Sequence, residues 1–84
     1  MAELSASVAR LRRELAQHPA EFVDRSIAEE ELAGLAAMVA GGTPEVRRMR
    51  SSLLLVAGAI GSVSALARSL AELRNAIELF GPDR

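Results

Sequence analysis

With 84 residues, one histidine and no cysteine, the chain has room for one domain, residues 1–84, and no means of stapling it by disulfides or a zinc site. Its net charge is −1 and all ten basic residues are arginines, a balance that leaves no positive field for nucleic acid. Half the residues are apolar but only Phe22 and Phe80 are aromatic, so the core is aliphatic, and the lack of alternating β-branched runs makes the fold all-α.

The first twenty residues carry Glu3, Arg10, Arg12, Arg13 and Glu14 with no apolar stretch, unlike a secretory signal, which points to the cytoplasm. A first helix is expected over residues 2–17, with Leu4, Val8, Leu11 and Leu15 spaced 4-3-4 on one face. It stops before Pro19. His18 to Arg25 reads as a connector in which Phe22 and Val23 plug a gap. Ser26 and Glu29 form the S-x-x-E pattern of a capping box, starting a second helix over residues 26–40 that buries Ile27, Ala28, Leu32, Leu35 and Val39.

Gly41-Gly42-Thr43-Pro44-Glu45 is the sharpest local signal. Gly41 suits the left-handed end of a helix, Thr43 an N-cap, and Pro44 a first turn whose N–H would be orphaned anyway. Glu45 suits the positive dipole end. From there one helix is expected over residues 44–80, closed by Gly81-Pro82. One apolar stripe runs through Val46, Met49, Leu53, Val56, Ile60, Val63, Ala67, Leu70 and Ile77, and a second lies beside it. The second stripe contains Leu55, Ala59, Ser62, Leu66, Leu73 and Phe80, so this helix needs neighbours on two sides.

Residues 3–40 and 44–80 are nearly equal in length. The first two helices laid end to end along the third would place residue i opposite 84 − i, bringing Leu35 to Met49, Leu11 to Leu73 and Leu4 to Phe80. This helical hairpin with a broken first arm leaves apolar surface exposed, and two copies would pair into an antiparallel four-helix bundle. The alternative is a compact three-helix bundle that turns back at residues 18–25. Either way a homodimer or higher homo-oligomer is expected, with an interface at Leu55, Gly58, Ala59, Gly61, Ser62, Leu66, Leu73 and Phe80. Gly34, Gly58 and Gly61 would permit close helix approach.

No catalytic, cofactor or metal site is legible. His18 and Glu21 spell H-x-x-E, in reversed order for a bundle metal and interrupted by Pro19. Glu29, Glu30 and Glu31 point three ways on a helix. The serines lack a His or Cys partner arrangement. Ser51 to Ala67 is free of charge for 17 residues, but it rises only about 25 Å against a hydrocarbon core of about 30 Å, which argues against membrane insertion.

Three stretches, Pro19-Ala20-Glu21-Phe22, Gly41 to Val46, and Ser52 to Leu66 followed by Ala76 to Gly81, give the chain a look that resembles short uncharacterised actinobacterial helical proteins. That resemblance implies no functional residues. The expected function is a non-enzymatic, self-associating assembly or protein-interaction module that docks its own copy or a partner helix. Two alternatives are an anion or nucleic-acid binder using Arg47, Arg48 and Arg50, and an adaptor of a multi-protein defence or signalling system.

Overall fold

The computed structural model describes residues 2–18, 23–42 and 45–80, apart from the side chain of Phe80. Four α-helices account for nearly all of them: α1 (Ala2–Gln17), α2 (Arg25–Ala40), α3 (Val46–Ile60) and α4 (Ala67–Phe80), with a 3₁₀ turn at Ser64–Leu66. The chain is all-helical. The expectations for Glu21, Phe22, Thr43, Pro44, Gly81 and Pro82 lie outside the described residues, and so does the packing of Phe80.

Helix α1 follows the sequence pattern, burying Leu4, Val8, Leu11 and Leu15. Helix α2 begins one residue early, at Arg25, and the capping box does not form: Ser26 lies inside the helix and Asp24 holds the cap position without a side-chain bond. Arg25 explains the shift. Its guanidinium donates to the Leu15 and His18 carbonyls and to Glu29 at 3.1 Å, so the end of α1 is capped by the first residue of α2. Glu29 is thereby drawn away from the Ser26 backbone. Ala28, Leu32, Leu35 and Val39 are buried as expected, but Ile27 is half exposed and Val23 almost wholly so, which corrects their assignment to the core. After α2 the left-handed residue is Gly42, at φ 79°, and not Gly41, at φ −73°. Gly41 and Gly42 donate to the Ala37 and Val39 carbonyls.

The expected 44–80 helix is broken in its middle. Gly61 ends α3, and Val63 is extended at φ −90°, ψ 101°. Val63 donates to Ile60 O, and Leu66 to Val63 O. The reason lies in the phase of the apolar residues. Helix α3 buries Met49, Leu53, Val56 and Ile60, whereas the second half buries Leu66, Leu70, Leu73 and Ile77. At 100° per residue these faces stand about 100° apart on a straight helix, and breaking the chain turns both inward.

The four helices close a ring in which α1 packs on α2, α2 on α3, α3 on α4 and α4 on α1. Neighbours run antiparallel, with Arg10 meeting Glu72 at 2.8 Å, Ser69 donating to Glu14, and Arg50 meeting Glu78 at 3.3 Å. One aliphatic core fills the ring, from Leu4 in α1 to Ile77 in α4. The longest extent is 36 Å, too short for an unbroken 37-residue helix of about 55 Å. The four-helix arrangement is thus completed within one chain and needs no second hairpin. The three-helix alternative is corrected as well: it placed the turn at residues 18–25 and α1 beside α2, but left the end of the chain projecting, where α4 in fact folds back over α1.

The expected register nonetheless persists between α1 and α4. Arg10–Glu72 and Glu14–Ser69 fall within two residues of the i to 84 − i pairing.

Candidate interaction surface

The residues assigned to an interface divide sharply. Leu66 and Leu73 are buried in the chain's own core, at 2% and 0% exposure, because the break folds the second stripe onto α1. Ala59 is half-buried and packs on the same core. Leu55, Gly58, Gly61 and Ser62 remain outside.

Within the chain, Gly34, Gly58 and Gly61 do not bring two helices close together. A Cβ at Gly34 or Gly58 would meet nothing within 4 Å, and a Cβ at Gly61 would collide with the Ala57 carbonyl oxygen of its own helix. Gly58 therefore faces open space. Gly61 is required by the turn.

What α3 presents outward is a face without charge from Ser51 onward. Leu54 is 73% exposed and Leu55 51% exposed, flanked by Ser51, Gly58, Gly61 and Ser62, all exposed. Beside Leu54 a groove of about 360 Å³ runs between α3 and α4, floored by Leu53, Ala57 and Leu70 and rimmed by Arg50, Arg74 and Glu78. The arginine cluster is dispersed. Arg47 and Arg48 are exposed at the start of α3, while Arg50 is half-buried and engaged with Glu78.

A second depression lies between α1 and α4, where about 600 Å³ is lined by Glu3, Ala6, Ser7, Arg10, Glu72, Leu79 and their neighbours. Two of its charges are engaged there, Arg10 bridging Glu72 and Glu14. Among the described residues no three His, Cys, Asp or Glu side chains converge on a point where a metal could sit. None of the described helices is long and apolar enough to cross a membrane, since the uncharged segment is itself divided by the break at Gly61.

A family model spans residues 1–81, the whole ring. The chain belongs to DUF5955, a family of unknown function. No curated protein and no solved structure shows significant similarity to it. For this DUF5955 chain the four-helix ring and its outer faces are therefore the available guide to function.

Proposed function

We propose that the protein is a non-enzymatic, self-associating interaction module of a bacterial cytoplasm, docking a second copy, or a partner helix of like chemistry, through the outer face of α3. The observation that carries this reading is the pair Leu54 and Leu55, exposed on the part of α3 that carries no charge of its own from Ser51 onward. Adjacent apolar residues rimmed by small polar ones are what an interaction surface requires. Gly58 adds a shallow notch one turn along, into which a leucine of a two-fold-related copy fits. The Arg-for-Lys, Ala- and Gly-rich composition fits a high-GC genome, and the resemblance to short actinobacterial helical proteins supports such a source. The arginine cluster supports anion binding less well, because Arg50 is held by Glu78.

Sedimentation velocity over a micromolar range tests the proposal. The native chain should sediment as an oligomer, and a Leu54→Glu/Leu55→Glu variant with unchanged helicity should sediment as a monomer. A native chain that stays monomeric throughout the range, with or without a supplied partner helix, would defeat it.

A further inference from the structure

We infer that a second copy of this chain can also enter the fold by exchanging halves, giving a swapped dimer in which α3 and α4 join into one helix. This inference goes beyond docking on the outer face, because it uses the buried core. The ring is two antiparallel layers, α2 with α3 and α1 with α4, laid against each other. Within each layer the pairing is that of the extended hairpin, as Arg10–Glu72 and Glu14–Ser69 show for α1 and α4. Folding a hairpin across its middle leaves those pairs intact and adds only the contacts of α1 with α2 and α3 with α4. Opening the fold and pairing two opened chains head to tail restores every one of them, now between α1 and the partner's α2, and between α3 and the partner's α4.

The break in the chain is slight enough to reverse. Gly61 is already helical at φ −61°, ψ −24°, and Val63 departs from helix mainly in ψ, at 101°. Rotating the backbone around Ser62–Val63 therefore carries α3 into α4. Residues 18–24 link the other two helices, and seven residues reach up to about 25 Å, ample for an end-to-end join. Exchange of identical elements keeps the same helix pairings, so the linkers, the twist of the joined helix and the entropy of association separate the two forms.

The phase of the core faces sets their balance. Left-handed supercoiling absorbs about 20° per heptad, which removes roughly half of the 100° offset between α3 and α4 and leaves the rest as twist in the joined helix. The closed monomer is the ground state for that reason. A Cβ at residue 61 reverses the preference, since it collides with the Ala57 carbonyl in the closed form and stands clear of the backbone in a regular helix.

Cysteine pairs read the topology, in a chain with no cysteine of its own. Arg50→Cys/Glu78→Cys spans α3 and α4, and Arg10→Cys/Glu72→Cys spans α1 and α4. Each is bridged with a short bis-maleimide after refolding at low and at high concentration, in the native background and with Gly61→Ala/Ser62→Ala/Val63→Ala. In monomer fractions both pairs should link within one chain. In dimer fractions the first pair should double the mass on a denaturing gel while the second stays at monomer mass, and the triple hinge substitution should enrich that dimer several-fold. Leu54→Glu/Leu55→Glu should not dissolve it. A dimer in which the first pair links only within chains is a surface dimer, which overturns the exchange and leaves the outer-face proposal standing. Failure to find any dimer in either background, including the native chain refolded at high concentration, overturns both.

Discussion

Glycine at positions 58 and 61 illustrates how a residue's role depends on its surroundings more than on its type. Both sit in a stretch whose apolar spacing suggests unbroken helix, and each looks at sequence level like a notch for a crossing helix. Gly58 lies within α3 with no atom of its own chain near the Cβ position, so its main effect is to widen the freedom of the unfolded chain. Gly58→Ala should therefore stabilise the fold by about 0.5–1 kcal/mol. Gly61→Ala should destabilise the closed monomer by about 1–3 kcal/mol, because the colliding atom is backbone and cannot swing away. Urea denaturation at low protein concentration measures both, and a destabilising Gly58→Ala would mean that a neighbour packs on α3 there. The signal for the break was present in the sequence as a step of six residues from Ile60 to Leu66, where a continued stripe needs seven. It was masked because Val63 and Ala67 fill the continued stripe equally well.

At the level of elements, α1 was legible in full and α2 nearly so, since a 4-3-4 stripe of leucines and valine admits one burial face. What the pattern could not reveal was which side chain finishes each helix. Ser26 and Glu29 satisfy a local capping rule, yet Arg25 reaches across the connector to the end of α1, and a charged hydrogen bond formed in tertiary structure outweighs a surface cap. The Arg25 side chain is only 14% exposed while bonding two carbonyls and Glu29. Removing it takes the two guanidinium donors away from the Leu15 and His18 carbonyls in a partly dry corner. Arg25→Ala should thus cost about 1.5–3 kcal/mol of stability, and Arg25→Lys, with one donor head in place of a planar fork, should recover part of it. Chemical denaturation of the three proteins gives the comparison. Equal stability of Ala and native forms would show that the corner carries no weight.

The whole molecule explains why the extended and closed forms look alike in sequence. Two arms of nearly equal length satisfy the same pairing whether the hairpin lies straight or is folded across its middle, so register alone cannot choose between them. The two stripes of residues 44–80 pointed to apolar surface that one straight hairpin leaves exposed, because a straight hairpin buries a single seam. The ring buries both stripes, and among the described residues sixteen apolar side chains from the four helices and the 3₁₀ turn form one cluster. Leu66 and Leu73, assigned to an outer interface by the straight-helix reading, become core for the same reason. The outer face of α3 was legible only in part: Leu55 was included, whereas the more exposed Leu54 lay on neither stripe.

A single shared core has a further consequence for unfolding. Leu35 in α2 and Leu73 in α4 lie in different layers, and each is fully buried. If the layers are held by one cluster, truncating either leucine should weaken both equally. Leu35→Ala and Leu73→Ala should each lower the unfolding free energy by about 2–5 kcal/mol. Amide exchange in α1 and α3 should then report the same loss in each variant, because neither layer has a stable state of its own. The alternative outcome is specific. Were Leu73→Ala to speed exchange in α1 and α4 while leaving α2 and α3 protected, the α2–α3 layer would be a folding unit by itself, and the core would consist of two weakly coupled halves. Full coupling, in contrast, means that exchange of halves between copies must pass through opening of the entire ring, so the interconversion of monomer and swapped dimer should share the temperature and denaturant dependence of global unfolding.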